Sequence, residues 1–150
     1  MRVIVAVPPT QRGFLLLEGL IAILIFSAGI IALMGLQAAA IRSSGDAKYQ
    51  ADASFLASQI LGDMWADRSN LATYAYNDTA ATLCGSASPS TTNARVTNWL
   101  NTVSAALPGG KSSIQQIKVG AGNVVTVTVC WRGPQDAGPH NYQVVAQING

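Results

Sequence analysis

From Gly19 to Ile41 the chain reads GLIAILIFSAGIIALMGLQAAAI, 23 residues without a charged side chain. A helix needs about 20 apolar residues to cross the hydrocarbon core of a bilayer. The run therefore predicts one membrane-spanning helix, and everything else becomes an appendage to it. The whole chain has 150 residues, 49% of them hydrophobic and 11% charged. That suits one small domain and excludes a large multidomain enzyme or a disordered, highly charged chain. Upstream, Phe14-Leu15-Leu16-Leu17 extends the apolar stretch and Glu18 interrupts it. A carboxylate inside an apolar helix costs a few kcal/mol and by default implies a partner or a function.

The preceding residues 1–13, MRVIVAVPPTQRG, carry Arg2 and Arg12, and Pro8-Pro9 prevents a helix from running straight through them. They read as a detachable leader. Basic residues near the span are Arg2 and Arg12 on one side and Arg42 and Lys48 on the other, so the positive-inside rule gives no orientation. A competing reading makes the run a secretory signal cut at Ala38-Ala39-Ala40. Its core is longer than the usual 7–15 residues, and a carboxylate stands at its head. Ala22, Gly29, Ala32, Gly35 and Ala39 recur at spacings of 7, 3, 3 and 4, which reads as a small-residue face for close helix packing in lipid. Ordinary Gly and Ala enrichment in membrane helices is the alternative.

Beyond the span, residues 43–150 carry six basic and six acidic side chains, a balance that leaves no basic stripe for nucleic acid. Ser43-Ser44-Gly45 is a weak helix interruption. After it Tyr49, Ala53, Leu56, Ile60 and Met64 fall at spacings of 3 and 4, an amphipathic helix continuing the first. Phe14 to Arg68 as one helix would be roughly 80 Å long. Ser69-Asn70 ends it, and residues 69–93 form a polar loop containing Cys84. A short second helix follows, with Val96, Trp99, Leu100, Val103 and Leu107 on one face, Thr92 or Asn93 as cap, and Pro108-Gly109-Gly110 as stop. Strand patterns cover 113–119, 123–131 and 141–148. In the middle one, Val125, Val127, Val129 and Trp131 alternate with Thr126, Thr128 and Cys130, the pattern of an antiparallel sheet with one packed and one polar face.

A Cys84–Cys130 bridge would tie the loop to the central strand, contribute about 4 kcal/mol on the chain-entropy model, and need an oxidising compartment. Two free buried thiols are the alternative. His140, the one histidine, lies in a Gly-Pro loop without a nucleophile motif, so catalysis is not expected there. No metal-binding or cofactor motif occurs, and Asp63 with Asp67 reads as a solvated helix face. Asn77-Asp78-Thr79 fits the glycosylation triplet, and 86–92 is rich in hydroxyls. Trp65, Trp99 and Trp131 read as core rather than as a ligand platform.

The order Gly13-Phe14, three residues, Glu18, apolar helix resembles the processing signature of type IV pilins. SAGIIALMGLQAAAIRSS and LASQILGDMWADRSN are similar to the helix of the PilV-type minor pilins, so the likeness covers about the first 70 residues. The resemblance implies that a prepilin peptidase cuts between Gly13 and Phe14 and N-methylates Phe14, and that Glu18 is the assembly carboxylate. Glu18 stands one turn into the mature helix, beside its positive dipole end.

The resemblance also implies an α+β, pilin-like fold. Residues 1–13 would be leader, 14–41 the transmembrane and assembly helix, and 42–150 a periplasmic head in which the helix packs on a small antiparallel sheet, with a connecting loop and one short extra helix. Such a minor pilin is not an enzyme and takes no cofactor. It sits in the bacterial inner membrane among lipid, then joins or primes the tip of a type IV pilus at the cell surface, serving pilus assembly, adhesion and twitching motility. Its partners would be other minor pilins, the major pilin and the inner-membrane assembly machinery, with no nucleic acid. A minor pseudopilin of type II secretion shares the signature and is the alternative.

Overall fold

The computed structural model describes residues 12–149, with side chains from Phe14 onward; the leader assigned to 1–13 lies almost entirely outside them. Contacts divide the chain into two units that meet between Ser43 and Ser44. Helix α1, Arg12–Ala66, is continuous through Ser43-Ser44-Gly45, so the expected interruption there does not occur. One glycine and two serines cost a helix about a kilocalorie or two, too little to break one so long.

In the first unit the helix is apolar and bare. Leu16 is 74% exposed, Phe26 70% and Ile41 73%. In the second unit α1 turns one stripe inward: Ala53, Leu56, Ala57, Ile60 and Met64 are buried. They meet Val96, Trp99, Leu100 and Val103 of α2, Ala94–Ala106, and the inner faces of three strands. The Trp99 indole N–H donates to the Leu56 carbonyl at 2.8 Å and fixes α2 against α1. Asn93 is the N-cap of α2, its side chain accepting from the Arg95 and Val96 N–H groups. Gly109, just beyond the helix, has φ +60, and a Cβ there would meet the Arg132 carbonyl at 3.0 Å.

The sheet is antiparallel, ordered β1 (Gln116–Val119), β2 (Val124–Trp131), β3 (His140–Gln147). β1 pairs Ile117 with Val127, and β2 pairs Val127 with Val144. Val125, Val127 and Val129 are fully buried, as their alternation predicts. Long apolar helix, small antiparallel sheet and short helices make an α+β protein. β1 is shorter than the 113–119 pattern because Ser112–Ile114 forms a 3-10 turn. The Gln115 side chain then takes the place of a strand residue. Its Nε2 donates to the Cys130 carbonyl at 2.9 Å, and its Oε1 accepts from the Cys130 N–H at 2.7 Å.

The second face of β2 is less open than its threonines suggest, since Thr128 and Cys130 are buried. Cys84 forms a disulfide with Cys130, Cα atoms 5.7 Å apart. Gln116 Nε2 donates to the Thr82 carbonyl at 2.8 Å. The segment around Cys84 is thereby held across that face, and the polar side chains beneath it find partners instead of water.

Candidate functional site

Two regions carry the residues singled out in the sequence. On the first turns of α1, Phe14, Leu17, Glu18, Ile21, Ala22 and Ile25 share one surface at spacings of 3 and 4. Glu18 is exposed there, a single carboxylate among apolar neighbours. Gly13 falls within α1. The helix is long and apolar enough to cross a membrane, with a mean hydropathy of 2.5 over its most apolar window. Ser27 donates to the Ile23 carbonyl at 2.7 Å, so this hydroxyl is satisfied inside the helix and needs no water.

The small residues of this unit form a broader surface than one seam. At about 100° per residue, Ala22 and Gly29 stand together, while Ala32, Gly35 and Ala39 lie roughly 60–120° further round. Apart from its chain neighbours and the adjoining helix backbone, no described atom lies within 4 Å of a Cβ built at Gly29 or Gly35. Such openings admit the close approach of another helix.

In the head, Asn77 organises the loop. Its Nδ2 donates to the carbonyls of Gly85, Ser113 and Gln115 at 2.8–3.1 Å, and its Oδ1 accepts from the Ala87 N–H. It is 5% exposed, with φ +52. In the folded head a glycan on Asn77 would compete for the same nitrogen that three carbonyls hold. Ser86, Ser88, Ser90 and Thr92 remain exposed.

Asp63 and Asp67 are more than a solvated face. Asp63 pairs with Arg95 at 3.7 Å, and Asp67 accepts from the Tyr74 hydroxyl at 3.3 Å and from Asn70. Burial, helped by the Asp67 charge and opposed by Arg95, raises the Tyr74 pKa above its usual 10.0, and burial raises that of Tyr76. Trp99 and Trp131 are core, but Trp65 is 45% exposed, a correction to the expectation for all three. Trp65 stands on the side of α1 away from Met64 and Ile60, where Phe55 is also exposed.

His140 stacks on Trp131, ring centroids 5.8 Å apart, and its Nε2 lies 3.1 Å from Asp136. Gly133 N–H and His140 converge on that carboxylate, which closes the loop between β2 and β3. The arrangement is an exposed turn and supplies no nucleophile. Among the described residues no group of three or more His, Cys, Asp or Glu side chains could hold a metal ion. One shallow depression is lined by Ser104, Gly109, Gly110, Lys111 and Ser112, and another by Tyr76, Ser90, Thr91 and Asn101 among others; neither offers a carboxylate, imidazole or thiol. The chain matches no family model, no curated protein and no solved structure.

Several residues with structural consequence had no sequence signal. Gln115 and Asn77 act through single side-chain amides, which no periodicity marks. The bridge between Tyr76 and Ile117 is likewise one isolated pair. Among the described residues the bare apolar surface is that of helix residues 14–41, with Glu18 at its head.

Proposed function

We propose that this chain is a minor pilin, an assembly subunit that joins or primes the tip of a type IV pilus. The observation that carries the reading is the order Gly13-Phe14, three residues, Glu18 at the head of a bare apolar helix. In this mechanism a prepilin peptidase cuts after Gly13 and methylates the new Phe14 amine. The apolar helix holds the subunit in the inner membrane, with the disulfide-bridged head in the oxidising periplasm. On assembly the helix leaves lipid for the helices of the major pilin and other minor pilins, and packing replaces lipid contacts. Glu18 then meets the terminal amine of a neighbouring subunit, each neutralising the other where water is excluded. No catalytic group or cofactor enters any step.

N-terminal sequencing of the protein recovered from membranes tests this. The expected start is N-methylated Phe14, and Gly13→Val should accumulate the uncut precursor, because a site built against a bare backbone has no room for a side chain. A start at Ile41 would establish the secretory-signal reading instead. A start at Met1 in wild type would remove the basis for pilin processing.

A further inference from the structure

The two edges of the sheet are treated differently. The outer edge of β1, four residues long, is closed at Ile117, which exchanges both backbone bonds with Tyr76 at 2.8 and 2.9 Å. β3 is eight residues long, and among the described residues no strand pairs with its outer edge. Ile148 N–H donates to the Asn123 carbonyl at 3.0 Å, so Ile148 points toward β2. Backbone groups in an antiparallel strand alternate sides, so Ala146, Val144 and Tyr142 also point to β2. Gln147, Val145, Gln143 and Asn141 then direct their N–H and C=O groups outward, and among the described residues these have no backbone partner.

Natural sheets usually blunt an open edge with charge, Pro or a bulge. β3 has none of these. No charged residue or Pro occurs from Asn141 to Asn149, and the register with β2 is unbroken over eight pairs. The core-facing row is also incomplete, since Tyr142, Val144 and Ala146 are only partly buried. Val145 on the other face is 60% exposed.

We propose that the β3 edge is a dimerisation surface, on which β3 of a second copy of this chain lies antiparallel with Val144 facing Val144 across a two-fold axis. In that register the strand is complementary to itself. Asn141 stands opposite Gln147 of the second copy and Gln143 opposite Val145, so all four outward residues of each strand exchange both backbone bonds. Sliding one strand by two residues either way leaves an outward residue of each β3 unpaired, and sliding by one sets outward groups against inward ones. The side chains agree with the backbone, because residues directly opposite share a face. On the core face Tyr142 meets Ala146 of the second copy, large against small, and the two Val144 side chains meet at the axis. These are the side chains that one head leaves partly buried. On the other face the two exposed Val145 side chains become diagonal neighbours. A two-fold axis brings each central side chain near its own copy, where a charge would meet its like, and β3 carries none there. The β1 edge is closed by Tyr76, so the pairing stops at two copies. The surface lies wholly in the unit from Ser44 onward and does not depend on the proposed function.

One strand pair is small beside the roughly 1,200–2,000 Å² of stable interfaces, so the dimer should be weak and follow concentration. The test uses the full chain in detergent micelles, from about 10 µM to about 1 mM, with amide hydrogen exchange read residue by residue. Raising the concentration should slow exchange at Asn141, Gln143, Val145 and Gln147 by roughly threefold or more, while Val144 and Ala146, already bonded to β2, stay unchanged. Sedimentation should show a dimer over the same range and nothing larger. Val145→Lys and Val145→Glu each set like charges beside the axis, so either variant alone should lose both signals. Mixing the two should restore them, which variants that fail to fold would not do. In a mixture of labelled and unlabelled wild type, the Tyr142 ring of one copy should contact the Ala146 methyl of the other; contacts to Val144 or Ile148 instead overturn the register. Unchanged exchange at the four amides overturns the proposal, as does a dimer undiminished by Val145→Lys, whose contact then lies elsewhere. Slowing that ignores concentration but appears on adding a neutral octapeptide of alternating threonine and valine overturns it in favour of a different chain.

Discussion

Ile31 and Ile60 belong to one helix, yet Ile31 is 70% exposed and Ile60 is fully buried. Both halves of α1 are rich in Ala and both form helix without a break, so local helix preference does not distinguish them. What differs is the partner. Between Ser44 and Ala66 polar residues interrupt the apolar ones, leaving a stripe that the chain covers with its own sheet and α2. Between Phe14 and Ile41 the apolar residues occupy all sides, and every one of them is exposed. A stripe asks for an intramolecular partner, and an all-round apolar surface asks for lipid or other helices.

Glu18→Ala probes the bare half, where the largest effect is expected. Head folding and membrane insertion should survive, since the span becomes more apolar; on the proposed pilin reading, incorporation into pili should fall by roughly tenfold or more as a neighbour's amine loses its counter-charge. The amount in sheared pili relative to membranes measures it. Equal ratios for wild type and variant would show that the bare half needs no carboxylate.

The covered half is tested by Cys84→Ala, which should cost the head about 4 kcal/mol in denaturant unfolding on the chain-entropy model. Insertion of the helix should be unaffected. A head as stable without the bridge would mean that the hydrogen bonds of Asn77, Gln116 and Tyr76 hold the loop without it.

Paired substitutions sharpen the contrast further. Ile60→Ala should destabilise the head by about 2–5 kcal/mol. Ile31→Ala should change head unfolding by less than about 0.5 kcal/mol. Equal effects would erase the distinction between the halves.

The smallest effect concerns pH. With the folded Tyr74 pKa above 10.0, folded and unfolded chains are both neutral at lower pH and the head has its full stability. Above pH 10 the unfolded chain loses its proton first, so stability falls as pH rises through the folded pKa. Tyr74→Phe should flatten this alkaline loss in pH-dependent melting. An unchanged slope would place the titration on Tyr76.

Much of the fold is legible because its signals are local. The Thr92-or-Asn93 cap, resolved as Asn93, the Val96–Trp99–Leu100–Val103 stripe and the valines of β2 each announce an element within a few residues, and each is found where the pattern lies. The expected cysteine pair is joined. The expected loop 69–93, which begins within the 3-10 helix Arg68–Tyr74, was not legible beyond being polar. Its order comes from Asn77, Gln116 and Tyr76 reaching residues 34 or more positions away, and such bonds leave no periodic trace. The same cause misled the reading of Thr128 and Cys130 as an open face. At the candidate site, Glu18 was conspicuous because charge is rare in apolar helices, whereas the open edge of β3 follows only from register and hydrogen-bond direction.

The burial of Asn77 also bears on how the protein can be made. Its three carbonyl partners assemble only when the loop closes, so the nitrogen is accessible while the chain is still unfolded. A host whose secretory pathway adds sugars to nascent Asn-x-Thr triplets would modify Asn77 before the loop forms. The glycan would then stand where the Gly85, Ser113 and Gln115 carbonyls belong. Production in such a host calls for removing the triplet at Thr79, whose side chain is exposed, and leaving Asn77 in place.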